Sequence, residues 1–278
     1  MATDERRKTH NLPEKNSAYA SPEYWEERFA TEEHYEWLES PEALLPLLLP
    51  LLGAASRVLF VGCGSSELSD ALVARGVQFV FNLDFSPTVL HAKRRHEREA
   101  IRKYRTSLAP AASPAQARAP VMEYLCADMT RLDFLRPETY DVVIDKAAMD
   151  ALMTEEGSVW DPRAEVRAAA DRYLAGVSRC LKPGGLFIQI TFQQPHFRRR
   201  YLLKDFSMNL SGDAHLSPCE PSPSAWLAQR VESFPTPQKA PEAWLSSEAY
   251  SWNFFHVDIE KEQGCFSNFL FLAQKTTN

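Results

Sequence analysis

The stretch VLFVGCGSSEL, residues 58–68, decides the fold. It opens on a continuous apolar run of the kind that forms a strand buried on both faces of a parallel sheet. Gly62 and Gly64 then break the run, and SSEL opens a helix. A strand that ends in glycines and enters a helix lets the backbone approach a ligand and aims unpaired N–H groups at it. Asp84 stands twenty residues after Gly64, at the end of the next apolar run, VQFVFNL (77–83). A carboxylate placed there can accept both hydroxyls of a ribose, so turn and acid together predict an adenine-nucleoside site. A dinucleotide fingerprint would put a third glycine at position 67, where this chain has Glu67. Its charge would repel a pyrophosphate, which disfavours a dehydrogenase. A methionine-bearing nucleoside, whose ammonium group tolerates acids, fits better, and the expected cofactor is S-adenosyl-L-methionine.

Working outward, strand and helix alternate. Helices are expected at 65–75, 86–103 and 163–181, with strands at 57–61, 77–83, 121–126, 140–145 and 186–191. Alternation of this kind gives an α/β fold with a doubly wound, mostly parallel sheet. Pro183-Gly184-Gly185 is read as the turn between the 163–181 helix and the strand after it. The segments 250–257 and 265–273, around Gly264, read as a C-terminal antiparallel hairpin. Upstream, a helix is expected over 19–29, and a second begins with Ser40 as N-cap and Pro41 at the first helical position. Residues 1–18 are polar and read as a flexible lead into a single domain over 19–278. That domain carries Ala/Pro/Ser-rich inserts at about 106–120 and 206–245.

Composition excludes several classes. Hydrophobic residues are 45% and charged residues 24% of the 278, ordinary for a globular chain. The net charge of −6 argues against a nucleic-acid backbone as partner, since phosphate binding needs a basic surface. The apolar run over 44–52 is too short to span a bilayer and is broken by Pro46 and Pro50, so no membrane partner is expected. The N-terminal stretch has no apolar segment, so a secretory leader is not expected. The five scattered cysteines lack zinc spacing and read as reduced thiols of a cytoplasmic protein, with no metal.

Two further blocks carry candidate site residues. CADM (126–129) ends a strand, and Asp128 there suits a bond to an adenine amino group, with Met129 packing on the ring. YDVVIDKAAMDAL (140–152) ends its strand in Asp145-Lys146, at the sheet edge where open α/β folds bind ligands. Asp145, Lys146 and Asp150 are the catalytic candidates. In this reading an aromatic channel of Tyr35, Trp37 and Trp252 attracts an ammonium group and Asp145 or Asp150 accepts from it. The Arg198-Arg199-Arg200 run reads as a solvated face.

Together with LPEKNSAYASPEYWEERF (12–29), YEWL (35–38) and LKPGGLFIQITFQQPHFRRR (181–200), these blocks resemble a class I methyltransferase. More narrowly they resemble the methyltransferase-like family that modifies lysines of translation elongation factor 1-alpha. The resemblance implies a seven-stranded sheet and transfer of a methyl group to a protein lysine, elongation factor 1-alpha among the partners, by a monomer. It also implies that Trp25, Phe29 and Trp37 fold over the cofactor and Gly62 underlies its methionine part. Asp84 and Phe85 hold ribose and adenine, Asp128 and Met129 hold the adenine, and Lys146 lies beside the site. The chain departs from the family at Phe29, usually tyrosine, and at Ala147-Ala148, usually Gly-Thr. An N-terminal α-amine acceptor, a small-molecule acceptor and a non-catalytic cofactor-binding module are the competing readings.

Overall fold

The computed structural model describes residues 12–107, 120–207, 227, 229–230, 244–259 and 267–277. Most of both expected inserts, and residues 1–11, fall outside these. The expected 19–29 helix divides in two. A 3-10 turn, Asn16–Ala20, is followed by α1 (Pro22–Phe29), because Ser21 is extended and its Oγ accepts from the Tyr24 N–H at 3.4 Å. Pro22 has no N–H to donate and fits the first helical position. α2 (Pro41–Leu48) begins as expected, with the Ser40 Oγ accepting from the Ala43 N–H at 3.3 Å.

The βα alternation then proceeds through β1 (Arg57–Val61), α3 (Leu68–Ala74), β2 (Phe79–Asp84), α4 (Pro87–Ser107), β3 (Val121–Cys126) and β4 (Tyr140–Lys146). After it come α5 (Ala148–Leu152), a small hairpin of β5 (Gly157–Ser158) and β6 (Asp161–Pro162), α6 (Ala164–Cys180), β7 (Leu181–Thr191) and α7 (Pro195–Leu203). The chain ends on β8 (Leu245–Ser247), β9 (Trp252–Ile259) and β10 (Asn268–Lys275).

One sheet runs in the order β3-β2-β1-β4-β7-β10-β9-β8. Its first five strands are parallel, and β10, β9 and β8 are antiparallel. Order reverses between β1 and β4, which opens a crevice at their C-terminal ends where the glycine turn sits. The fold is the expected one, with eight strands in place of seven. The extra strand is a three-residue edge, too short and serine-rich to show alternation. Pro183-Gly184-Gly185 is also not a separate turn. β7 starts directly at Leu181, paired with Tyr140, and after a bulge resumes with Leu186 opposite Val142.

Period-two alternation divides the core between the sheet faces. Val58 and Phe60 pack with Leu44, Leu72 and Ile188 on one side. Leu59 and Val61 pack with Tyr173, Leu174, Phe187 and Trp252 on the other. Trp252 is thus a core residue and not part of an acceptor channel. It stacks on Phe187 at 5.7 Å, and its indole N–H donates to the Leu202 carbonyl. Among the described residues no helix is long and apolar enough to cross a membrane.

Candidate active site

At the end of β1 the backbone turns left-handed at Gly62, with φ +57°. A Cβ there would lie 2.3 Å from the Cβ of Ala148, so the glycine allows the β1 turn and the start of α5 to close on each other. β2 delivers Asp84 to the same point. Its carboxylate accepts from the Gly64 N–H at 2.9 Å and the Ser86 N–H at 3.0 Å, which pins the glycine turn to β2. Each carboxylate oxygen takes one of these donors and keeps a further lone-pair direction. That is the capacity two ribose hydroxyls need. Burial pushes the Asp84 carboxyl up, with the two backbone N–H bonds opposing.

The N-terminal segment closes over this turn. Trp25 stacks on Phe29 at 5.5 Å and meets Trp37 edge-on at 5.9 Å, while Tyr35 lies 4.9 Å from Trp37. The Arg28 guanidinium sits 4.8 Å and 4.9 Å over the Tyr35 and Trp37 rings, and its Nε donates to Glu32 at 2.5 Å. Two carboxylates that the sequence reading did not single out fasten the segment down. Glu32 accepts from the Ser65 hydroxyl. Glu36 accepts from the Glu67 N–H at 2.7 Å, the Ser66 hydroxyl at 2.8 Å and the Lys146 ammonium at 2.7 Å. Both lie after the end of α1, outside any helix, so no periodicity marks them; Glu32 is signalled only by standing four residues after its partner Arg28. Glu36, through the Glu67 N–H, already occupies the start of α3. A pyrophosphate would therefore meet a carboxylate there, whichever way the exposed Glu67 side chain points.

Lys146 is buried, and its Nζ also donates to the Trp37 carbonyl at 2.9 Å. Burial lowers its pKa and the Glu36 charge opposes that shift. Lys146 thus joins β4 to the N-terminal closure.

The other candidates separate by role. Asp145 is fully enclosed. It accepts from the Ala148 N–H at 3.0 Å, the Met149 N–H and the Tyr173 hydroxyl at 2.8 Å, so it fixes the β4–α5 corner. Burial raises its carboxyl to about 6. Asp150 is also buried, but it lines the cavity. Asp128 accepts from the Thr130 N–H at 2.8 Å and hydroxyl at 2.9 Å, closing a turn at the end of β3. It is not among the residues lining the cavity, whereas Met129 is.

That cavity has a volume of about 380 Å³. It brings together Trp25, Phe29 and Trp37 from the N-terminal segment, Gly62 and Gly64 from the turn, and Asp84 and Phe85 from β2. Lys146, Ala147, Ala148, Thr154 and Phe192 complete the lining, together with Asp150 from α5. The size suits a single small ligand. An aromatic roof, a floor without a Cβ and a buried acid with spare acceptor capacity fit a nucleoside carrying an amino-acid tail.

Ala147 has φ +68°, a conformation that costs an L-residue about 1–2 kcal/mol, whereas replacement by glycine frees the unfolded chain by about 0.4–1 kcal/mol. Ala147→Gly is therefore expected to stabilise the fold by about 1 kcal/mol, a rise in Tm of about 2–3 °C by calorimetry. An unchanged or lower Tm would mean that the corner carries no strain.

Residues 59–189 match the family described as "Methyltransferase domain". The mouse protein named EEF1A lysine methyltransferase 4 is 34% identical over 193 residues, covering 68% of this chain and 68% of that protein. The mouse eEF1A lysine and N-terminal methyltransferase is 32% identical over 192 residues, covering 68% of this chain but 24% of its own length. Among solved structures, the N-methyltransferase NodS from Bradyrhizobium japonicum WM9 in complex with S-adenosyl-l-homocysteine is 14% identical, with a TM-score of 0.48 over 93% of this chain and 98% of that one.

Proposed function

Since this chain belongs to the family of S-adenosylmethionine-dependent methyltransferases that includes EEF1A lysine methyltransferase 4, we propose that its acceptor is a lysine side chain of a protein, with elongation factor 1-alpha as the partner. One observation carries the reading beyond family membership. The cavity lining includes a carboxylate, Asp150, held by the N–H of the exposed Phe192, together with the rings of Tyr35 and Trp37. Such a wall favours a cation over a neutral acceptor. A cytoplasmic, monomeric protein belongs to the same reading. Cys63, Cys126 and Cys180 are free thiols, in keeping with a reducing compartment.

When bound, S-adenosylmethionine supplies a methyl carbon activated by its sulfonium. The chain's own part is to bind, align and exclude water. In this reading Asp84 takes the ribose hydroxyls, and Phe85 and Met129 flank the base. Trp25, Phe29 and Trp37 close the site against solvent, which strengthens every electrostatic contact within it. Lysine enters as ammonium and must lose a proton before its lone pair can attack. Asp150 holds the amine in line while the proton leaves to water, and the alignment supplies most of the rate.

The test is methyl-label transfer to unmethylated recombinant elongation factor 1-alpha, with mass spectrometry of the product. Label on one or more lysines is the expected outcome. Label confined to the N-terminal amine would move the acceptor to an α-amine. No label on protein from an enzyme that binds the donor would sink the protein-acceptor reading.

A further inference from the structure

The arginine run in the middle of α7 is not a solvated face. Arg198 is 0% exposed and Arg200 5%. Arg200 is spent on backbone, donating to the carbonyls of Val159, Trp160 and Phe206. Arg198 instead reaches a residue of the cavity wall: its Nη2 donates to Asp150 Oδ1 at 2.5 Å and to Thr191 Oγ1 at 3.2 Å.

The two oxygens of Asp150 are engaged unequally. Oδ1 accepts from Arg198 and from the Thr191 hydroxyl at 2.5 Å, which fills both of its lone-pair directions. Oδ2 has only the Phe192 N–H at 3.3 Å, longer than an ordinary hydrogen bond. One oxygen is clamped, the other retains capacity, and the residue forms part of the cavity wall. Thr191 and Phe192 end β7 while Arg198 comes from α7, so the carboxylate is held from two elements at once.

Stability alone does not account for such a pair. Burying both charges is costly, and an apolar pair of similar volume would serve the core as well or better. The surrounding charges add to the point. Around this pair stand Asp145 on β4, Tyr173 on α6, Tyr201 on α7 and Glu156, and the guanidinium acts on Asp145 and Glu156 as well as on Asp150. Asp145 accepts from the Tyr173 hydroxyl and Glu156 from the Tyr201 hydroxyl, which leaves Asp150 as the acid of this group that lines the cavity.

We propose that Arg198 is a positioning residue for the acceptor: it orients the Asp150 carboxylate so that Oδ2 receives a cationic amine, and thereby selects amines over neutral acceptors. This rests on the lysine reading above and adds to it the residue that sets its selectivity.

Three variants test the proposal on the whole chain: Arg198→Met, Arg198→Lys and the double variant Arg198→Met with Asp150→Asn. The readouts are KM for recombinant elongation factor 1-alpha at saturating donor, donor Kd by calorimetry, and Tm. Arg198→Met is expected to raise the acceptor KM about tenfold or more, the scale of one charge-assisted hydrogen bond, with donor Kd within about twofold of wild type. Arg198→Lys restores part of the loss. The double variant removes the unpaired buried charge and regains Tm, but its acceptor KM stays high. An unchanged KM in Arg198→Met overturns the proposal. So does recovery of KM together with Tm in the double variant, which would reduce Arg198 to neutralising a buried acid. Loss of donor affinity in parallel with acceptor affinity would likewise assign it a structural role. Wild-type enzyme that labels no lysine of the elongation factor sinks the lysine reading itself, and the selectivity argument with it.

Discussion

Asp84→Ala is expected to weaken S-adenosylmethionine binding by at least about a hundredfold, because two charge-assisted hydrogen bonds of about 1.5 kcal/mol or more each disappear with the carboxylate. The loss has two sources. Directly, in the proposed binding mode, the ribose hydroxyls have nothing to donate to. Indirectly, the Gly64 and Ser86 N–H groups lose their acceptor, and the glycine turn is no longer tied to β2. Relief of burying a charge acts in the opposite sense on the free protein, so Tm should change much less than affinity. Asp84→Asn separates the two contributions. An amide keeps one oxygen but sets its NH2 against an N–H or a hydroxyl, so it recovers only part of the affinity. The pH dependence has a definite sign. Burial raises the Asp84 carboxyl, and the ionised form is the better acceptor. Donor affinity should therefore decline on acidification from a higher pH than an ordinary aspartate would give, and the Ala variant should lack that decline. Calorimetric titration checks both points, and a Kd in the variant within about tenfold of wild type would remove Asp84 from the ribose site.

Gly62→Ala carries the largest expected effect on the fold. The added methyl would sit 2.3 Å from the Ala148 Cβ, on backbone held at φ +57°. The left-handed conformation costs about 1–2 kcal/mol and the overpacking about 1–3 kcal/mol. A loss of about 3 kcal/mol, or about 8 °C in Tm, is expected. The Ala147–Met149 corner is what must move to admit the methyl. Since Ala147 and Ala148 line the cavity, donor affinity should fall with stability. Pairing Gly62→Ala with Ala148→Gly removes the contact but not the backbone strain, so it should return about half of the lost Tm. Full tolerance of Gly62→Ala would show that the turn and α5 can separate at little cost, contrary to the close approach seen here.

These two positions were readable from the chain itself, and the comparison with the less readable ones is instructive. Gly62, Gly64 and Asp84 belong to short local patterns, a strand breaking into a turn and a second strand ending in an acid. Their relation is set by the spacing of adjacent βα units. Ser40 was legible as a helix start for the same local reason, whereas Ser21 fell inside the expected 19–29 helix and only the structure makes it an N-cap. Glu32 and Glu36 were not legible as site residues. Their partners, Ser65, Ser66, Glu67 and Lys146, are distant in sequence, and no local pattern encodes which surface the N-terminal segment will cover. The same holds for β8, whose existence depends on β9 offering an edge.

Arg198 shows the limit most clearly. Three consecutive arginines are ordinarily a solvated face, because an unpaired guanidinium is too costly to bury. Here a partner 48 residues away reverses that balance at one of the three positions, and backbone carbonyls reverse it at another. Asp145 and Asp150 reverse in a similar way. Five residues apart in one short block, with Asp145 ending β4 and Asp150 in α5, they read from the chain as equal candidates. Tertiary contacts seal the first behind Tyr173 and leave the second on the cavity wall.

The sequence by itself determined the alternating fold, the glycine turn, the acid that meets it at the end of β2 and the class of cofactor. Each follows from periodicity and backbone chemistry acting over a few residues. Only the tertiary structure decided which carboxylates are buried, which arginines are paired and that Trp252 belongs to the core. Burial and pairing are free energies of contacts between distant segments, and those exist only once the sheet has brought the segments together.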